Sequence, residues 1–80
     1  MDDLEIVKRI GELADEEHHL EDSHEGSSLN DSELARLRAI EVALDQCWDL
    51  LRQRRARRAA GQDPDDAVVR PESVVERYQQ

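Results

Sequence analysis

The sequence lacks the paired cysteines and long apolar runs that are typical of secreted and membrane proteins. Its 80 residues include no phenylalanine, one tryptophan, one tyrosine and one cysteine. Cys47 alone cannot form a disulfide within the chain, so a disulfide framework is excluded. No apolar run follows Met1, so neither an export signal nor a membrane span is predicted. We therefore expect a cytoplasmic protein.

The sequence also lacks the motifs of common enzyme families. It contains no glycine-rich phosphate loop, no nucleophile elbow, and no histidine at helical spacing from Cys47. A chain of few helices offers little concavity for a pocket that excludes water. We expect no enzymatic activity and no cofactor, and we interpret Cys47 as a structural thiol on an apolar stripe rather than a reactive one.

The composition is that of a small, highly charged domain. Charged residues make up 39% of the chain and hydrophobic residues 38%, a balance typical of long-helix proteins. A chain of this length buries only about 60% of its unfolded surface, so a partner is expected to contribute to stability. The net charge of -9 is uneven: residues 1–26 hold ten acids and two bases, whereas five arginines lie between Arg52 and Arg58.

The clearest signal is a long amphipathic helix predicted over residues 31–60. Asn30 and Glu33 have the spacing of a capping box, with Leu29 and Leu34 placed as a hydrophobic staple. Gly61 supplies the expected stop. Between them, apolar side chains recur at spacings of three and four, as in a helix that packs along its length: Leu37, Ile40, Leu44, Cys47 and Leu51.

A second helix is predicted before it, over about residues 2–25. Asp2 and Glu5 repeat the capping-box spacing, and the apolar stripe consists of Ile6, Ile10, Leu13 and Leu20. Gly11 weakens the middle of this helix but permits close approach of a neighbouring helix. The short connection, residues 26–28, makes the two helices antiparallel neighbours.

The predicted fold is therefore all-α: an antiparallel helical hairpin over residues 1–60, with a linker and a short C-terminal helix over residues 61–80. The last helix begins near Pro71, and its docking is left open. We expect two hairpins to associate as a homodimer resembling a four-helix bundle, because doubling the hairpin buries more apolar surface. The stripe residues expected at that interface are Leu37, Leu44, Trp48 and Leu51.

The arginines near the end of the long helix have two interpretations. The acidic start of the first helix, with Asp2, Asp3 and Glu5, can neutralise part of them. The remainder can form a docking surface, for which the candidate residues are Arg54, Arg55, Arg57 and Arg58. We favour a non-enzymatic interaction or adaptor protein. Weak nucleic-acid binding or a transcription-associated role remains an alternative, although no aromatic residues accompany the arginines.

A histidine- and acid-rich cluster near the hairpin tip gives a second alternative. Glu16 with His19 and Glu21 with His24 have the spacing found in helical two-metal sites. Such a site needs inward carboxylates from other helices, which only dimerisation could provide. The competing interpretation, which we prefer, is a solvated acidic face.

Three runs of the sequence resemble a known family. They are IGELADEEH (Ile10 to His18), LDQCWDLLRQRRARR (Leu44 to Arg58) and AGQDPDDAVVRPESVVERY (Ala60 to Tyr78). Together they are similar to short, mostly actinobacterial proteins grouped as domain of unknown function 2630. The resemblance implies a bacterial, cytosolic origin. It implies no activity, cofactor or site residue.

Overall fold

The chain folds as a helical hairpin followed by a short C-terminal helix. The computed structural model describes residues 1–22 and 28–75. Helix α1 spans Asp3–Asp22, α2 spans Asp31–Ala59, a 3-10 turn covers Pro64–Asp66, and α3 spans Glu72–Val75. The described residues contain no strand, so the predicted all-α class is confirmed. The predicted end of the first helix near residue 25 and the last residues of the C-terminal helix lie outside the described residues.

Both long helices begin with the predicted capping boxes. In α2 the Glu33 amide donates to Asn30 Oδ1 at 2.8 Å, and the Asn30 amide donates to Glu33 Oε1 at 3.0 Å. In α1 the Glu5 amide donates to Asp2 Oδ1 at 2.8 Å, and the Asp2 amide donates to Glu5 Oε1 at 3.2 Å. Each box satisfies backbone donors that a helix start leaves without intrahelical partners.

Helix α2 ends at the position predicted from Gly61. The Gln62 amide donates to the Arg57 carbonyl at 2.8 Å, and the Gly61 amide donates to the Arg58 carbonyl at 3.2 Å. This pair of hydrogen bonds is the Schellman motif, which needs a left-handed residue at the position of Gly61. Gly61 has φ +73°, a conformation that glycine adopts without the strain a side chain would introduce.

An aliphatic seam joins α1 to α2. Ile6 and Ile10 pack with Leu50 and Leu51, and Leu44, Cys47 and Ala67 lie against this cluster. Leu13 and Ile40 are also buried. Contacts at both ends show that the helices are antiparallel: Asp3 bonds Arg58, and Glu16 bonds Arg36. The predicted stripes therefore face each other as expected.

The C-terminal segment, residues 63–75, docks along one side of α2. Val75 of α3 is fully buried, and α3 and the 3-10 turn both contact α2. Two glutamines of α2 hold the backbone of the segment: Gln53 Nε2 donates to the Val68 carbonyl at 2.7 Å, and Gln46 Nε2 donates to the Arg70 carbonyl at 3.2 Å. The docking that the sequence left open is thus present.

A buried carboxylate fixes this docking, and the sequence did not predict it. Asp49 has 0% of its surface exposed. Its Oδ2 accepts hydrogen bonds from Arg70 Nε and from Gln53 Nε2, both at 2.9 Å. The hydrogen bond from Arg70 holds the pKa of Asp49 below its ordinary value, against the opposing effect of burial. A charge can be buried here because it is paired and hydrogen-bonded.

Replacement of Asp49 should destabilise the fold. In Asp49→Ala, Arg70 and Gln53 lose the acceptor that they share, and we expect the free energy of unfolding to fall by about 2 kcal/mol. Urea denaturation at fixed protein concentration measures this change. Asp45→Ala is the matched control, because Asp45 lies one turn earlier on α2 and its side chain makes no hydrogen bond or ion pair within residues 1–22 and 28–75. Equal urea midpoints for the two variants would contradict the assignment.

Candidate interaction surface

The arginine-rich end of α2 is partly used inside the fold. Arg54 is only 6% exposed, and its guanidinium donates to Asp3 Oδ1 at 2.6 Å and to Asp65 Oδ1 at 3.0 Å. Arg58 Nη2 donates to Asp3 Oδ2 at 2.5 Å. Asp3 therefore joins the start of α1 to the end of α2. The predicted neutralisation of the arginines by the acidic start of α1 is confirmed for Asp3.

The electrostatics of Asp3 follow from these contacts. Hydrogen bonds from Arg58 and then from Arg54 lower the pKa of Asp3 from 3.8 to about 2. The carboxylate therefore stays ionised well into the acid range. Asp2 and Glu5, which the sequence also suggested as partners of the arginines, bond each other in the capping box of α1 instead.

The other predicted interaction arginines remain nearer the surface. Arg55 is exposed and Arg57 is half-buried. Neither side chain makes a hydrogen bond or an ion pair with any other described residue. Arg52, also exposed, lies 3.8 Å from Asp49. Of the four candidates Arg54, Arg55, Arg57 and Arg58, Arg55 is thus the one that combines exposure with an unused charge.

The two sides of the hairpin differ in what covers them. At about 100° per residue, the side of α2 that carries Gln46, Asp49 and Gln53 faces the C-terminal segment. The opposite side carries Trp48, and the half-buried Leu37 and Leu44 lie between Trp48 and the seam. Because α1 and α2 are antiparallel, this side is continuous with one side of α1. We call it the open face, formed by Leu4, Val7, Gly11 and Ala14 of α1 and by Trp48 of α2, with the outer parts of Leu37 and Leu44 at its edge.

The open face exposes large apolar side chains. Leu4 is 78% exposed, Val7 is 52% exposed and Trp48 is 47% exposed. A Cβ atom placed on Gly11 would meet no atom within 4 Å, so the backbone of α1 is accessible there. Sequence reasoning chose Leu37, Leu44 and Trp48 but missed Leu4 and Val7. Leu4 and Val7 are three residues apart, and Gly11 and Ala14 continue the spacing of three and four along the same side of α1. This pattern could have identified the second apolar side of α1 from the sequence.

Leu51, the fourth predicted interface residue, lies in the seam. It is 3% exposed and packs with Ile6 and Ile10. On α2 it projects toward α1, about 60° from Trp48. Leu51 is therefore used within the single chain.

The covered side contains a small apolar groove. Its volume is about 180 Å³, and its lining includes Leu13, Cys47, Leu50 and Val69. Burial raises the pKa of the Cys47 thiol, an effect that the charge of Arg9 partly opposes. A protonated thiol is a poor nucleophile, which agrees with the structural role expected for Cys47. The groove is smaller than the roughly 300 Å³ at which ligand pockets usually begin.

Three of the four candidate metal ligands, Glu16, His19 and Glu21, lie in the described residues and are not grouped as a metal site. Glu16 accepts hydrogen bonds from Arg36 Nε at 2.9 Å and from Arg36 Nη2 at 2.8 Å. His19 and Glu21 are exposed, and His24 lies outside the described residues. Within residues 1–22 and 28–75, no group of three or more histidine, cysteine, aspartate or glutamate side chains is placed to hold a metal ion. No helix in those ranges is long and apolar enough to cross a membrane.

Comparisons with known proteins find one family model and several relatives. The family model described as "Protein of unknown function (DUF2630)" matches residues 2–80. An uncharacterized protein of Mycobacterium bovis is 49% identical to this chain over 77 residues, covering 95% of this chain and 88% of the relative. Uncharacterized proteins of two Mycobacterium tuberculosis strains match with the same identity and coverage. No solved structure matches the chain.

Asp3 should make the stability of the protein depend on pH in the acid range. Its pKa is lowered in the folded state, so its contribution is complete above about pH 4 and is lost as the pH falls toward 2. We expect the melting temperature of the wild type to exceed that of Asp3→Asn at neutral pH, and the difference to shrink between pH 4 and pH 2. Thermal melts followed by circular dichroism measure it.

The matched control for this experiment is Asp15→Asn, because Asp15 is exposed and makes no ion pair with any other described residue. Its melting temperature should follow that of the wild type across the same pH range. A constant difference between the wild type and Asp3→Asn from pH 7 to pH 2 would show that the Asp3 carboxylate does not stabilise the fold.

Proposed function

The chain belongs to the DUF2630 family of proteins of unknown function, and we propose from its surface that it is a non-enzymatic interaction protein that binds another protein chain through the open face. One observation carries this proposal. The C-terminal segment covers one side of the hairpin and exposes its own Val68 and Val69, whereas the other side exposes Leu4, Val7 and Trp48 of the two long helices themselves. Contiguous exposed apolar side chains on a small domain are typical of protein interaction sites.

The residue types on the open face suit protein recognition. Tryptophan is enriched among the residues that contribute most to binding free energy, and Trp48 lies near the middle of the face. Exposed charged residues, Glu41 and Arg55, lie at its two ends. An apolar centre with a polar rim is the usual arrangement of a protein interface.

The other functions considered for the sequence have less support. Glu16, one of the candidate metal ligands, is held by Arg36. Asp3 neutralises Arg54 and Arg58, which reduces the positive charge available to nucleic acid. The groove beside Cys47 is lined mainly by apolar groups, and burial raises the pKa of its thiol, so we propose that the protein has no catalytic activity. With its one free thiol, we place it in the reducing cytoplasm.

Photo-crosslinking in the native cell tests the proposed function. A benzophenone amino acid is placed at Val7 or at Trp48 on the open face. The matched control places it at Val68, which is 64% exposed but lies on the C-terminal segment. We expect discrete adducts from positions 7 and 48 that are absent from position 68. If the open-face positions give no adducts beyond those of position 68, the open face is not a binding site.

A further inference from the structure

We propose that the chain bound to the open face is a second copy of this protein, packed with its α2 antiparallel to the first around a two-fold axis at Trp48. This inference rests on the proposed function and names the partner of the same surface. It commits to a symmetric interface in which the same residues meet on both copies.

The placement of two charges around Trp48 carries the proposal. Glu41 precedes Trp48 by seven residues and Arg55 follows it by seven. Seven residues are almost two helical turns, so all three side chains project to the same side of α2, with Trp48 midway. Glu41 and Arg55 are both exposed. Neither side chain has a hydrogen-bonding or ionic partner among residues 1–22 and 28–75.

A two-fold axis at Trp48 pairs these charges. The axis relates two antiparallel α2 helices, one from each copy. A residue that follows Trp48 by a given number of positions in one copy therefore lies opposite the residue that precedes Trp48 by the same number in the other copy. Arg55 of each copy therefore meets Glu41 of the other, which gives two equivalent ion pairs. A parallel arrangement would instead place Arg55 against Arg55 and Glu41 against Glu41. The charge pattern is self-complementary in the antiparallel arrangement alone.

The preference rests on the charges nearest the axis. Pairing about Trp48 brings residues 54–58 of one copy level with residues 38–42 of the other, and Arg58 then lies opposite Arg38. The two ion pairs between Glu41 and Arg55 therefore supply the local attraction that opposes the repulsion expected between two chains of net charge -9.

The centre of the open face can pack against its own copy. Trp48 lies on the axis, Leu44 lies opposite Arg52 of the second copy, and the methylene stem of that arginine can cover the leucine. Gly11 leaves the backbone of α1 accessible, so a helix can approach closely beside Trp48. Val7 adds apolar surface at the same level. Burial of these side chains supplies the stabilisation that a hairpin of this size is short of.

Charge-reversal variants of the purified chain test this inference when their dimer dissociation constants are measured by sedimentation velocity. Glu41→Arg and Arg55→Glu each replace two ion pairs with two like-charge contacts, and we expect each to raise the dimer dissociation constant about tenfold. The double variant E41R/R55E restores opposite charges at both contacts and should bring the dissociation constant back to within about threefold of the wild type. Asp66→Arg, on the C-terminal segment, is the charge-matched control for Glu41→Arg and should dimerise as the wild type does.

The outcomes separate this inference from the proposed function. A folded monomer at all concentrations overturns the inference, and so does a dimer in which E41R/R55E is no better than the single variants. If a monomeric chain still crosslinks to a different protein from positions 7 and 48, the proposed function stands and only the identity of the partner is wrong. Far-ultraviolet circular dichroism of each variant confirms that loss of dimer is not loss of helix.

Discussion

The aliphatic seam between α1 and α2 is the interaction on which the rest of the structure depends. It is formed mainly by Ile6, Ile10, Leu50 and Leu51, and burial of each such side chain is worth about 1.5 to 3 kcal/mol as an upper estimate. The seam has little directional preference by itself. The bonds from Asp3 to Arg54 and Arg58 at one end, and from Glu16 to Arg36 near the other, fix the antiparallel register.

Because the seam uses only one side of each helix, it leaves two further sides of the hairpin to be covered. The C-terminal segment covers one, and the buried Asp49 with Arg70 specifies where it docks. The other side is the open face. The asymmetry explains how a chain with so few apolar residues can both hold its own fold together and leave large apolar side chains exposed.

Much of the fold could be predicted because the relevant signals are local. Capping boxes, the glycine at residue 61 and the spacings of three and four depend on residues close in sequence, and the structure contains each of them. The neutralisation of the arginines by Asp3 was also foreseen, since an antiparallel hairpin brings the start of α1 to the end of α2. The burial of Arg54 by these contacts and by Asp65 was not.

The features that escaped prediction depend on distant pairs. Asp49 lies off the apolar stripe of α2 and is buried only because Arg70, 21 residues later, reaches it; a pattern within one helix does not contain that information. Leu4 and Val7 were assigned no role because the buried stripe of α1 already accounted for its helical period. Once α1 and α2 are placed side by side, Leu4 and Val7 lie on the same side of the hairpin as Trp48. Together these exposed residues define the open face.

Acrylamide quenching of Trp48 fluorescence across a dilution series tests the central claim, that the open face is accessible in a single chain and is covered by association. Trp48 is the sole tryptophan, so the signal reports this face alone. We expect efficient quenching in dilute, monomeric protein and protection that grows as the concentration rises. A tryptophan protected from acrylamide in protein shown by sedimentation to be monomeric would contradict it, because the chain would then cover the face itself.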